Sequence, residues 1–236
     1  MLATLACLLL PLGSARADAP TPRSVVEAFQ STYASVSDYQ CRMHEISRKG
    51  SEVEERTMNI YFKRPRFIRM DVLAGNRAGD AGGSGVYRND GKVTGRKGGF
   101  FSFLSATVDK HNPQVTSIRG MTIDQIDLQA TLEKLLLRLS TSASSLSVRE
   151  GIYELVFLPR DPSAEGGTTK EIISLDSATM LPVSAESFEG SRRVQHADWS
   201  DYILNAGLPD QLFDINWDPR QLSASGIQSV QSVPLR

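Results

Sequence analysis

The chain is poor in cysteine: two occur in 236 residues, Cys7 and Cys41. If Cys7 leaves with a leader peptide, Cys41 alone remains and no intramolecular disulfide can form. Stability must then come from a buried core, which a domain of about 220 residues can supply. Histidine is scarce as well. His44, His111 and His196 are the three present, and none stands in an HExxH motif. No Cys-x-x-Cys pair and no acidic cluster of ligand spacing occurs, so neither a metal nor another cofactor is expected. An excess of one charge is also missing. Lys and Arg total 26 against 27 Asp and Glu, a formal net charge of −1. That balance gives no reason to expect a nucleic-acid partner, and pairs such as Arg192-Arg193 read as solvated strand ends.

Long apolar runs are absent after the first residues, and no later segment reaches the ~18 apolar residues that a membrane helix needs. Residues 2–12 are apolar, but only to the length of a leader's hydrophobic region. Ala15-Arg16-Ala17 then offers a small-x-small cleavage site. Residues 1–17 are therefore expected to be a signal peptide cut after Ala17, although no Lys or Arg follows Met1 and the true start codon stays open. Cys7 raises the question of a lipoprotein signal. Its lipobox leucine, Leu5, is one place off, and Leu8-Leu9-Leu10 stays apolar past the cysteine. A soluble periplasmic protein is expected.

What the chain does have is period-two patterning, centred on residues 59–73, NIYFKRPRFIRMDVL. Met58, Ile60 and Phe62 share one face before the proline, and Ile68, Met70 and Val72 share one face after it. Such alternation marks strands with one buried side. Pro65 cannot donate to a ladder, so it belongs at a strand end or bulge. Arg64 is thereby placed at the rim of an apolar sheet, where a fixed cation can hold a lid or a polar head group.

The flanking chain reads as strands and two helices. Thr21-Pro22 opens the first helix, with Val25, Phe29 and Tyr33 in a stripe. Strands follow at residues 39–48 and 53–62, then a Gly-rich loop at residues 74–85. That loop lacks a Walker lysine and a following helix, so it is not read as a phosphate cradle. A hairpin turns at Asn89-Asp90-Gly91. Phe100, Phe101 and Phe103 form a strand or an apolar flap, and residues 108–118 are read as irregular. Residues 122–139 give the strongest helical signal, with Leu128, Leu132, Leu135, Leu136 and Leu139 in one stripe. Thr122 and Gln125 have capping-box spacing. Four more strands then form a meander, a short strand is expected around residues 213–217, and the tail from Arg220 to Arg236 is expected to be loose. The fold expected is α+β: a curled antiparallel half-barrel of about nine to eleven strands with two helices on its concave face.

Four stretches, in order, resemble the periplasmic lipoprotein carriers of the LolA/LolB-like superfamily. They are Phe62-Lys63-Arg64-Pro65 with Phe67, then Asp90-Gly91-Lys92, then the turn from Ile173 through Asp176 to Pro182. The last is Asp210-Gln211-Leu212-Phe213 with Trp217 and Pro219. The resemblance covers most of residues 18–219 and looks closer still to an uncharacterised exported branch. It departs after Lys92, where Val93-Thr94-Gly95 stands in place of aromatics, and in a longer region around residues 100–118. The resemblance implies an apolar cavity for acyl chains and a role for Arg64 in tying sheet to helix lid and governing opening. The candidate ligand-binding residues are Arg64, Met58, Ile60, Phe62, Ile68, Met70, Phe100, Phe103, Leu128, Leu132 and Leu135. These apolar side chains could equally fill a closed core.

The leading expectation is a monomeric carrier that shields acyl chains of a lipid or lipoprotein. The alternative is an envelope regulatory or scaffold module binding a protein partner. A hydrolase is the weakest reading, because a nucleophile needs a base beside it. Cys41 and His44 are three apart on a strand and so face opposite sides, and His196 with Asp198 reads as a surface pair.

Overall fold

In the computed structural model residues 19–230 are described, except Ser102. The expected leader, residues 1–17, lies outside them, as does the end of the expected tail, residues 231–236. Helix α1 spans Pro22–Ala34. Thr21 caps it: Thr21 Oγ1 accepts from Ser24 N at 3.1 Å, and Ser24 Oγ accepts from Thr21 N at 2.9 Å. Six strands follow: β1 Asp38–Lys49, β2 Glu52–Lys63, β3 Phe67–Gly75, β4 Ser84–Tyr87, β5 Lys92–Arg96 and β6 Ser105–Asp109. Helix α2, Leu128–Thr141, leads into β7 Ser142–Arg149, β8 Ile152–Pro159, β9 Lys170–Asp176, β10 Pro182–Glu189 and β11 Arg192–Leu204. A short helix, α3, covers Gln221–Ala224.

All eleven strands among the described residues form one antiparallel, unclosed, curled sheet, ordered β6-β5-β4-β3-β2-β1-β11-β10-β9-β8-β7. The chain meanders outward from β1 to β6, crosses through α2, and meanders back from β7 to β11. The halves join where β11 pairs β1, with Tyr39 opposite Leu204 and Met43 opposite Trp199. Alternation sorts the side chains by face. Cys41, Met43, Met58, Ile60, Phe62 and Ile68 meet the α1 and α2 stripes in the main core. On the opposite face Tyr61 and Val86 join Leu208, Leu212, Phe213, Ile215, Leu222 and Val230 in a second core.

The α+β half-barrel is as expected from the sequence, but several local expectations are corrected. The helix expected from residue 122 begins as an α-helix only at Leu128. Gln125 reaches back to Thr122 N (2.9 Å) and closes a separate 3-10 turn, Ile123–Gln125. Asp127 is the true cap, accepting from Ala130 N at 2.6 Å. No strand forms around residues 213–217. Instead Asp210–Phe213 is a 3-10 turn followed by turns, and the buried Arg69 Nη1 donates to the carbonyls of Leu212, Asp214 and Trp217, each at 3.0 Å. β6 takes in only Val108 and Asp109 of the region read as irregular, residues 108–118, and pairs with β5; the remainder is irregular as expected. The tail is not loose through Val230, because Leu222 and Val230 expose no surface. In the Gly-rich loop Gly83 serves close approach: a Cβ there would lie 2.8 Å from the Asp80 carbonyl oxygen.

Candidate functional site

The turn joining β2 to β3 carries Arg64-Pro65-Arg66, with a cis peptide before the proline. Each arginine holds a different helix. Arg64 Nε donates to Val36 O at 2.6 Å and Nη2 donates to Tyr33 O at 2.8 Å. These carbonyls lie at and just past the C-terminus of α1, where a cation also meets the negative end of the helix dipole. The guanidinium sits 4.6 Å from the Tyr33 ring centroid. Burial pushes the Tyr33 phenol up to about 12 against the opposing pull of Arg64, so the ring stays neutral beneath the cation.

Arg66 holds the start of α2. Its Nε donates to Asp127 Oδ2 at 3.1 Å and its Nη2 to Asp124 O at 2.8 Å. Asp127 is fully buried. Burial keeps its carboxyl above the ordinary range, opposed by the Ala130 N–H and by Arg66. Asp124 goes the other way: burial would raise it, but hydrogen bonds from Lys110 and Thr122 outweigh that and lower it. Lys110 Nζ stands 2.6 Å from Asp124 Oδ2. Leu128 N donates to the buried Tyr39 hydroxyl at 3.0 Å, adding a bond from the sheet to the first turn of α2.

The far end of α2 is held by a second set of charges. Arg138 pairs with Glu171 on β9 and, at 2.7 Å, with Glu165, while Lys134 reaches Glu171 at 3.1 Å. Arg138 and Glu171 are both buried. Sequence reading missed Arg66, Asp127, Arg138 and Glu171. The one signal for Asp127 was its place directly before the first leucine of the stripe, the best N-cap position.

The apolar candidates divide. Met58, Ile60, Phe62, Ile68, Leu128, Leu132 and Leu135 come together in the main core, with Met70 half-buried against it. Leu132 is the most accessible of the buried seven at 8%, and Met58, Ile60, Phe62, Ile68 and Leu135 expose nothing. A void wide enough for water beside them would leave them partly accessible, so this face is packed. Phe100 and Phe103 are not brought there. They are 86% and 72% exposed, around the 3-10 turn Gly99–Phe101 in the connection from β5 to the edge strand β6. Two hollows, about 190 and 490 Å³, lie on the opposite face around Arg88, Phe213, Asp214 and Trp217.

His196 Nε2 lies 2.7 Å from Asp198 Oδ2, and His44 Nε2 lies 3.0 Å from Glu55 Oε1. Cys41 is buried on the helix-covered face, away from His44. Among the described residues no group of three or more His, Cys, Asp or Glu could hold a metal ion, and no helix is long and apolar enough to cross a membrane.

No family model and no curated protein matches the chain. Solved structures do. An uncharacterized conserved protein of Thermus thermophilus aligns with a TM-score of 0.51 at 10% identity, over 84% of this chain and 94% of that one. A LolA superfamily protein of Nitrosomonas europaea aligns at 0.37 and 13%, over 83% and 98%. The lipoprotein LppX of Mycobacterium tuberculosis aligns at 0.45 and 9%, over 77% and 94%. At these identities the likeness concerns fold alone.

Proposed function

We propose that this chain is an exported, periplasmic binding protein that shields acyl chains of a lipid or lipoprotein on the helix-covered face of its sheet. The observation that carries the reading is the Arg64-Pro65-Arg66 turn, which joins the ends of two helices over an otherwise apolar surface. Polar bonds of this kind can be broken and remade in water. The apolar surface beneath them exchanges one greasy cover for another. Moving α1 uncovers Val25, Val26, Phe29 and Tyr33 together with the strands below. An acyl chain restores the lost burial at about 0.8 kcal/mol per methylene, so the exchange is close to balanced and reversible. In this reading Arg64 is the latch, the apolar candidates of the main core are the cradle, and no cofactor or catalytic step is needed.

The packed face favours a second reading, a closed envelope module that binds a protein partner. Mass spectrometry of lipids extracted from the purified protein separates the two. Bound acyl species, with altered release from a folded Arg64→Leu variant, support the carrier. A lipid-free protein that co-purifies with one envelope protein, and an Arg64→Leu variant that behaves as wild type, support the module.

A further inference from the structure

The two hollows on the outer face of the sheet share Arg88 and Asp214 in their walls. The larger, about 490 Å³, is completed by Asp210, Gln211, Asn216 and Trp217. Its volume falls within the roughly 300–1,000 Å³ of small-molecule sites. The wall is fixed from behind. Arg69, 1% exposed, donates from Nη1 to the carbonyls of Leu212, Asp214 and Trp217, and Asp71 Oδ1 orients its Nε at 2.9 Å. Lys63 Nζ holds Asp210 Oδ1 at 2.6 Å, and Asp214 Oδ1 accepts from Asn216 N at 2.8 Å. Trp217 packs against the second core as well as lining the hollow. A wall already held in place needs little ordering when a ligand arrives.

Arg88 is the lining group without a polar partner. Its guanidinium sits 5.1 Å from the Phe67 ring centroid, and among the described residues it makes no hydrogen bond or ion pair. Its five N–H donors are therefore open to a ligand.

The charges narrow the chemistry of that ligand. In the larger hollow Asp210 and Asp214 face Arg88, and Lys63 on Asp210 supplies the second positive charge. In the smaller one Arg88 and Lys92 face Asp90 and Asp214. Each hollow is thus neutral as a whole, so neither a free anion nor a free cation is favoured, and a wall this polar does not suit an acyl chain. A peptide main chain would seek backbone partners, but the carbonyls of Leu212, Asp214 and Trp217 already serve Arg69. What remains is a set of planar polar side chains beside an indole. Carboxylates and amides accept from hydroxyls, the guanidinium and amides donate to them, and the indole offers an apolar surface to a ring's C–H face.

We propose that Arg88, Asp210, Gln211, Asp214, Asn216 and Trp217 form a binding site for an uncharged saccharide. The smaller hollow extends the site past Arg88, so a chain of more than one sugar unit fits it better than a monosaccharide. The site lies on the face opposite the helices and does not depend on acyl binding.

The chain has two tryptophans, Trp199 and Trp217, so Trp199→Phe leaves Trp217 as the sole emitter. The full Trp199→Phe chain is titrated with chitotriose, cellotriose and maltotriose, and the emission is followed. At least one trisaccharide shifts it saturably, and inorganic phosphate does not. Arg88→Ala, at an exposed position, weakens that binding about tenfold or more, the worth of one charge-assisted hydrogen bond, and leaves the urea midpoint unchanged. Isothermal calorimetry on the wild-type chain gives the same constant and decides the matter should Trp199→Phe fail to fold. No binding of any of the three trisaccharides to the wild-type chain, a constant that Arg88→Ala leaves unchanged, or an equal response to phosphate overturns the proposal.

Discussion

Arg64 and Arg66 stand two residues apart, yet breaking their bonds has unlike consequences. Arg64 donates only to carbonyls at the end of α1, groups that water can satisfy once the helix moves. Arg66 faces Asp127, which is fully buried, so its removal strands a carboxylate with no access to water. The same contrast applies at Glu171. Burial alone would raise this carboxyl, but Lys134 and Arg138 outweigh it and hold it below the usual range. A depressed folded value means that its ionisation favours the folded state above the unfolded value, about 4.3. That contribution fades as pH falls through the folded value. The urea midpoint of the wild-type chain should therefore drop between about pH 5 and about pH 3. Glu171→Gln should cost about 3 kcal/mol at neutral pH, by leaving Arg138 short of its partner. The variant should also lose less over the acid interval. Parallel acid limbs in the two proteins would remove Glu171 from the account.

Among elements, the two lid helices are tethered unequally. Helix α2 is held at its start by Arg66 on Asp127 and near its end by Arg138 on Glu171. Helix α1 has the Arg64 bonds and a long Tyr33–Gln129 contact of 3.4 Å, besides its apolar stripe. Opening should thus begin at α1. In native-state hydrogen exchange the α1 amides should exchange faster than those of α2. Arg64→Met should speed α1 by about tenfold or more, the worth of one charge-assisted bond, and leave α2 unchanged. Equal acceleration in both would show that the helices leave together. How much of this was legible beforehand follows from what each signal measures. Alternation in β1 to β3 and the leucine stripe of α2 report burial of a face; of the stripe, Leu128, Leu132 and Leu135 are buried and Leu139 half-buried, while Leu136 is exposed. Helix ends, by contrast, depend on which of two good caps wins: Thr122 and Gln125 do form a capping box, but on the 3-10 turn, while Asp127 caps the α-helix. Arg69, Arg138 and Glu171 lie buried because they are paired, a condition set by partners up to 148 residues away in the chain and invisible to periodicity. Arg64 could be placed at a rim from Pro65 alone. That it points at the end of α1 required the fold.

On the scale of the whole molecule, β1 is where everything meets. It joins the two meanders through β11, faces the lid with Cys41 and Met43, and faces the C-terminal region with Gln40 and Arg42. Whether the helix-covered face can open is a property of this assembly as a unit, and Cys41 reports on it. The thiol is buried beneath the helices, and burial pushes its pKa well up, so in the closed state it is neither reachable nor ionised. It can react only when the cover over β1 departs. If α1 leaves as a lid, alkylation of Cys41 followed by mass spectrometry should run faster than global unfolding measured under the same conditions. Arg64→Met should raise that rate about tenfold or more without an equal loss of global stability. An added long-chain fatty acid should then slow labelling again by covering the thiol. A labelling rate that tracks global unfolding, and that is indifferent to both Arg64 and fatty acid, would mean that the core never parts short of denaturation. The carrier reading would then fail.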